Sequence, residues 1–356
     1  MRHDQSDRPR AKGPRYVPIP RVAGLNAREF EATYAMTNHP VILESFDRVA
    51  NWEVFSDWRF SRLKEQFGAT TISPRVNYPN PDHWWINPFE TLPRDFPQFK
   101  KMTVSEFIDL ANDPASRENP VYWRNRGPDA GADETFKPFF DGVHYDQIVS
   151  GDHDIHVELL IGSAGTRAGF HQDDRHNFLV HVSGRKQVFL GSPYYTRCFY
   201  PFAGLPEKSP IAPDYPNEKY PLFSEATIVT GTIGPGEVLW IPRGWWHALI
   251  ALEPTIMLGC FYGEPLTQRD MEHMYSQLGP SYRIRARFQF VWRFIRSSMN
   301  ILLGRSPIDG LTVWWTPGSA AAVSFFNRAA REVRRVVSLI TGRPMPEKDW
   351  IPTPFF

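Results

Sequence analysis

The chain has 356 residues, 42% of them hydrophobic and 22% charged, which is enough apolar material for one large core or two modest ones and argues against wholesale disorder. No run approaches the roughly 20 consecutive apolar residues of a membrane-spanning helix. Two cysteines, Cys198 and Cys260, are too few for a disulfide framework; they fit a reducing compartment and a cytoplasmic protein, with a single bridge left open. The net charge of +1 hides an asymmetry, because Leu266 to Phe356 holds 13 Lys/Arg against 6 Asp/Glu, a net of +7, and the remainder sums to −6. Opposed halves fit a subunit contact, an acidic partner or plain solvated surface.

Residues 1–15 are polar and Arg-rich with no apolar signal core after them, and read as a flexible tail. Residues 16–119 read as a helical and irregular region packed on the β-rich region beyond residue 120, with 16–70 mostly helical. Asn26 is placed to cap a helix through Phe30, Tyr34 and Met36 that ends at His39-Pro40. A short buried strand is expected at Pro40–Glu44, then a helix over Trp58–Phe67 stopped by Gly68. Tyr78 to Phe99, crowded with Pro, Asn, Asp and aromatics, reads as a loop over the core that either lines a site or covers hydrophobic surface. Thr103 caps a helix over Val104–Asn112 that Pro114 forbids from continuing.

From Pro120 to about Pro265 the period changes to short β-rich runs: Val121–Trp123, His156–Ile161, Phe178–Val182, Lys186–Leu190, Thr227–Ile233, Glu237–Ile241, His247–Leu252 and Thr255–Tyr262. Eight such strands without intervening helices predict a sandwich or a closed jelly roll, so the chain is expected to be mainly β with flanking helices. Residues 266–356 return to helix, over Asp270–Leu278, Tyr282–Leu303 and Ala320–Ile340. Phe288, Val291, Trp292, Ile295 and Met299 make an apolar stripe there, fitting a dimer contact better than a nucleic-acid or membrane surface.

Two segments carry the chemistry, Gly169–Lys186 and Gly234–His247. In extended chain His171 and Asp173 point the same way, with Gln172 and Asp174 opposite, so an imidazole and a carboxylate can grip one ion. His247, on a remote strand brought alongside, completes two nitrogens and one oxygen on one face of an octahedron. That donor set suits a non-haem iron(II) centre with positions left for cosubstrate and O₂. If Ser183-Gly184 is a two-residue turn, His181 pairs with Lys186, and Lys186, His181, Leu179 and Asn177 share a face. A lysine turned into the barrel needs an anion, either a bound carboxylate or an Asp or Glu of the protein. Trp245 and Trp246 are expected to pack the barrel end, and His176 to be a satisfied core residue.

These segments resemble the cupin-type JmjC oxygenases, especially the branch containing the asparaginyl hydroxylase that modifies hypoxia-inducible factor. The matching stretches are Leu160-Ile-Gly162, His171-Gln-Asp173, Asn177-Phe178, Gly184-Arg-Lys186, Pro235-Gly236 and Ile241-Pro-Arg-Gly-Trp-Trp-His247, in order between about Val17 and Pro265. The resemblance implies a double-stranded β-helix core and iron held by His171, Asp173 and His247. It further implies that Lys186 binds the distal carboxylate of 2-oxoglutarate, with Asn177 near the cosubstrate and Tyr122 roughly where the branch offers a tyrosine hydroxyl to that carboxylate. It implies hydroxylation of a peptide or protein side chain, a small molecule being the alternative substrate and a non-catalytic metal- or sugar-binding cupin the alternative class. By the same likeness the C-terminal helices would form a homodimer. Two departures stand out: Ala168 replaces the branch's threonine and Gly259 its asparagine. Cosubstrate contacts are therefore expected to be rearranged, toward His181 or Thr166.

Overall fold

The computed structural model describes residues 13–46, 48–76, 98–126, 134–144, 155–202, 207–214, 219–267, 270 and 278–280. The chain divides into two units, Met1–Pro201 with Glu207–Leu266, and Phe202–Pro206 with Thr267–Phe356. The described residues lie almost wholly in the first. The expected C-terminal helices and dimer stripe, most of the aromatic loop Tyr78–Phe99 and all but the end of the N-terminal tail fall outside them.

Sixteen strands and five short α-helices are described. In chain order they are β1 (Arg15–Pro18), β2 (Arg21–Ala23), α1 (Ala27–Phe30), β3 (Val41–Glu44), α2 (Val54–Asp57), α3 (Phe60–Phe67), β4 (Thr71–Ile72), β5 (Arg75–Val76), β6 (Gln98–Phe99), β7 (Met102–Thr103), α4 (Val104–Asn112), β8 (Val121–Arg126) and α5 (Lys137–Phe140). Then come β9 (His156–Gly162), β10 (Arg167–His171), β11 (His176–Ser183), β12 (Lys186–Gly191), β13 (Thr227–Ile233), β14 (Glu237–Ile241), β15 (Trp246–Ala251) and β16 (Thr255–Tyr262). One sheet has the order β1-β13-β12-β15-β10, and a larger one β2-β3-β14-β11-β16-β9-β8-β5-β6. The core strands run antiparallel to their neighbours, and from β9 to β16 successive strands switch between the two sheets except at β12 and β13, which pair within the smaller one, as in a jelly roll.

Side-chain alternation sorts the apolar residues into three clusters. Outward positions of the larger sheet, among them Phe178, Val180, Trp240, Leu258 and Cys260, pack with Phe30, Trp58, Phe67 and Phe107 from the N-terminal helices. Inward positions of both sheets, including Leu160, Leu179, Val188, Leu239, Leu249 and Met257, fill the space between the sheets. Phe170, Phe199, Phe223, Trp246 and Ala248 form a third cluster on the far side of the smaller sheet. Period-two patterning thus assigns each face of each strand to a different core, which fixes register because a one-residue slip would exchange them.

The helix caps obey their sequences. Asn26 and Glu29 form a reciprocal capping box at α1, and Thr103 and Glu106 do so at α4, satisfying N–H groups that the first turn leaves unpaired. After α1 the chain widens into a π-helical turn over Glu31–Ala35, and Asn38 adopts a left-handed conformation (φ 56°) before His39.

Three expectations need correction. Residues 16–70 are not mostly helical: β1, β2 and β3 add strands to both sheets, the first two pairing in parallel with β13 and β3. β3 lies where a short strand was expected at Pro40–Glu44, but β1 and β2, of four and three residues with prolines beside them, are too short to show a period. The Ser183-Gly184 turn does not close a hairpin either. β11 pairs with β14 and β16, whereas β12 pairs with β13 and β15, so the chain crosses here from one sheet to the other. Gly184 makes that corner possible, with φ 74° and a position where a Cβ would lie 2.0 Å from the Pro254 carbonyl oxygen. Finally, Asp173 does not belong to the strand of His171, because β10 ends at His171. Both cysteines are buried free thiols, so the bridge left open by the count does not form.

Candidate metal centre

β10 and β15 are antiparallel neighbours, and their register sets His171 directly opposite His247 after a bulge between Ala168 and His171. The two rings lie 4.1 Å apart. Asp173 joins them from the loop just past β10, its Oδ2 3.3 Å from His247 Nε2. One ligand atom from each of the three fits within a span of 4.8 Å, small enough for one ion.

The surrounding backbone aims these donors. His171 Nδ1 is 2.7 Å from the Gly169 carbonyl and His247 Nδ1 is 2.9 Å from the Trp245 carbonyl. Each imidazole thus donates an N–H to backbone from Nδ1 and presents a lone pair at Nε2, the arrangement that orients a metal-binding histidine. The Asp173 carbonyl accepts the N–H of Gly244 (2.8 Å), and Gln172 Nε2 donates to the Gly244 carbonyl (2.6 Å). The Pro242-Arg-Gly turn therefore grips the loop that carries Asp173. Gln172 was legible only as the residue facing away from the pair; its use as a clamp needs the remote turn and has no local signal.

Electrostatics match a cation site. Burial pushes His171 down to about 3, with His247 adding to the shift, so the ring is neutral and able to bind metal. Burial alone would raise Asp173, but His247, its hydrogen bond and His171 together hold the carboxyl below the ordinary range. Asp174 lies outside the trio; burial and the neighbouring Asp173 charge push it up to about 7. His176 accepts the Arg243 N–H (3.2 Å) and stacks on Trp240, a satisfied core residue. Trp246 is fully buried and donates to Thr196 (3.1 Å), and Trp245 donates to the Asn38 carbonyl (3.0 Å), so both pack rather than line the centre.

The remaining candidates divide. Asn177, on the inward face of β11, donates to Asp173 Oδ2 (3.4 Å) and leaves its Oδ1 buried without a hydrogen-bond partner. Lys186 is 5% exposed and faces inward between Ala251 and Ile233. Among the described residues no carboxylate pairs with it, and burial lowers its pKa to about 8. His181 is 1% exposed with both ring nitrogens unpaired, and burial together with the Lys186 charge pushes it down to about 3. Tyr122, on β8, packs against the inner apolar cluster beside Gly162. Thr166 is buried there too, but its hydroxyl donates to the Ser163 carbonyl (2.7 Å), which ties it to the turn after β9.

A jelly roll that brings two imidazoles and a carboxylate to one point has a cupin-like architecture and a donor set that could hold a metal ion. Residues 27–268 match the family described as cupin-like domain, and the chain belongs to that family, among the cupin-type JmjC proteins. Lysine-specific demethylase 8 of Xenopus tropicalis is 26% identical over 239 residues, 66% of this chain and 50% of that protein. tRNA wybutosine-synthesizing protein 5 of Mus musculus is 25% identical over 261 residues, 69% of this chain and 78% of that protein. JmjC domain-containing protein D of Dictyostelium discoideum is 24% identical over 259 residues, 67% and 54% of the two chains. The chain spans about half the length of the demethylase and of the Dictyostelium protein. These relatives place the chain in the wider family and do not single out the asparaginyl hydroxylase branch.

Proposed function

We propose that the chain is an iron(II)- and 2-oxoglutarate-dependent oxygenase that hydroxylates a C–H bond, with a peptide or protein side chain as substrate. The observation that carries this reading is a pair of complementary needs in one barrel. A two-histidine, one-carboxylate cluster has its Nε2 atoms turned together, and in the same barrel a buried ammonium lacks an anion among the described residues. The donor set fits iron(II), and the orphaned cation fits a ligand with a second carboxylate.

Iron with 2-oxoglutarate and O₂ supplies, when bound, the oxidising power that converts C–H to C–OH with release of succinate and CO₂. The chain's own part is placement. His171, Asp173 and His247 would hold the metal, with Nδ1 of both rings locked to backbone so that Nε2 cannot turn away. Lys186 would neutralise the distal carboxylate of the cosubstrate, and Asn177 would steady Asp173. The apolar lining of Leu160, Leu179, Val188, Leu239 and Leu249 would keep the chamber dry and give the oxidant few polar groups to attack.

Iron-dependent conversion of 2-oxoglutarate to succinate, lost in His247→Ala while the circular dichroism spectrum is kept, is the expected result. Undiminished succinate formation in that variant contradicts the reading. If neither iron(II) nor 2-oxoglutarate raises the melting temperature of the wild type under anaerobic conditions, the non-catalytic cupin takes its place. A second substrate, a tRNA nucleoside, is favoured by one observation: the match covers 78% of the wybutosine-synthesizing relative but only 50% of the demethylase. Supplying the loaded enzyme with bulk tRNA and with a peptide library, and locating the added oxygen by mass, separates the two.

A further inference from the structure

The barrel lacks two groups that the asparaginyl hydroxylase branch supplies, since Ala168 and Gly259 stand where that branch has threonine and asparagine. The structure shows why one of them cannot simply be restored. A Cβ on Gly259 would lie 3.0 Å from the Phe261 ring, which is stacked on His156 at 4.8 Å. Any side chain at this position would require the ring to shift. On the opposite sheet Ala168 packs against the inner apolar cluster and offers no hydrogen bond from its methyl group.

One polar side chain in the same chamber has no partner among the described residues for either of its nitrogens. His181 lies on the inward face of β11 opposite Met257, two positions from Leu179 and four from Asn177, all of which turn into the barrel. It lies just before the Ser183-Gly184 corner and Lys186 just after it, so an imidazole from the larger sheet and an ammonium from the smaller one stand at the same end of the chamber, near enough for the ammonium charge to act on the ring. Leaving both imidazole nitrogens without a hydrogen bond is costly in a site 1% exposed. The Lys186 ammonium, which has no carboxylate partner among the described residues, adds a second cost of the same kind. A single carboxylate would satisfy both, accepting one hydrogen bond from the imidazole N–H and one from the ammonium. Thr166 cannot serve in the same way, because its only O–H is held by the Ser163 carbonyl.

We propose that His181 is a direct ligand of the cosubstrate's distal carboxylate, acting together with Lys186. The inference rests on the oxygenase reading above and adds to it a residue that holds the ligand by the end remote from the metal. His181 is a neutral donor here. It selects for a terminal carboxylate without adding a second full charge, and it has no role in holding the metal.

The test uses calorimetric titration of the manganese-loaded full chain with 2-oxoglutarate and, separately, with 2-oxopentanoate, in which a methyl group replaces the distal carboxylate. His181→Leu is expected to weaken 2-oxoglutarate roughly ten- to hundred-fold, as loss of a hydrogen bond to a charged group would, while 2-oxopentanoate binds unchanged. His181→Gln, which keeps an N–H donor, should recover most of the loss and also guards against misfolding of the leucine variant. Equal 2-oxoglutarate affinity in wild type and His181→Leu overturns this inference and leaves the oxygenase reading standing. So does a loss that is the same for both oxoacids. If the manganese-loaded wild type binds neither oxoacid, the oxygenase reading itself fails and this inference with it.

Discussion

Lys186 shows at the scale of one residue what the site costs when it is not loaded. Its ordinary pKa of 10.5 falls to about 8 because burial disfavours the ammonium and no carboxylate among the described residues compensates. A lysine that binds its proton less tightly when folded destabilises the fold wherever its amine is charged in the unfolded chain. That penalty is complete below pH 8 and disappears as pH rises from about 8 toward 10.5; at neutral pH it is roughly 3 kcal/mol. Without cosubstrate, Lys186→Met should therefore melt at a higher temperature than wild type at pH 7, and the gap should close by about pH 10. A wild type more stable than the variant at pH 7 would mean that an internal anion meets the ammonium. With manganese and 2-oxoglutarate present the order should reverse, because only the wild type gains the ligand's binding energy. Strand parity put Asn177 and His181 on one face from the sequence, but Lys186 joined them there only through a hairpin that does not form; the two strands turn their faces inward from opposite sheets. The residue spacing said nothing of whether an internal carboxylate would meet the lysine, since that depends on every other inward position at once.

At the scale of the element, the corner between β11 and β12 decides the architecture. A two-residue hairpin and a sheet-to-sheet crossing share the same local sequence, Ser183-Gly184, and both want a left-handed glycine. Only the non-local partners, β14 and β16 on one side and β13 and β15 on the other, distinguish them. Gly184→Ala should cost roughly 2–4 kcal/mol, from a strained positive φ and from a Cβ driven against the Pro254 carbonyl, measurable as a fall in the denaturant midpoint. A loss under about 0.5 kcal/mol would mean that this corner is not built as described. Thr103→Ala, which removes one half of the capping box at α4, should cost about 1 kcal/mol and leave metal affinity unchanged. All eight core strands read from the sequence lie where expected, to within a few residues at their ends, because they are short β-rich apolar runs bounded by Gly, Pro, Asp and Ser. β10 was not read as a strand: Arg167-Ala-Gly-Phe-His171 has only one large apolar residue and a glycine, and a bulge breaks its pairing.

For the molecule as a whole, chain segments far apart in sequence converge to give the centre. The loop after β10 carries Asp173, the turn Pro242-Arg-Gly holds that loop by one backbone hydrogen bond and one from the Gln172 side chain, and β15 follows closely with His247 as its second residue. Sequence spacing marked both segments as carriers of chemistry, and the family resemblance supplied the order in which they meet. The clamp between them could not be read, because Gln172 and Gly244 are 72 residues apart and neither belongs to a regular element. Gln172→Ala should therefore weaken metal binding several-fold without abolishing it, by freeing the loop that positions Asp173. Metal affinity equal to wild type in that variant would show that the clamp is dispensable.

The central claim is that His171, Asp173 and His247 hold one metal ion while leaving room on it for a bidentate oxoacid. It is tested most directly by anaerobic titration of iron(II) and 2-oxoglutarate, read as the visible charge-transfer absorption of the iron–oxoacid chelate. In wild type the band should grow to one iron and one oxoacid per chain and require both components; it should be absent in His247→Ala. A wild type that binds iron without developing the band, or a His247→Ala variant in which the band is undiminished, would contradict the account.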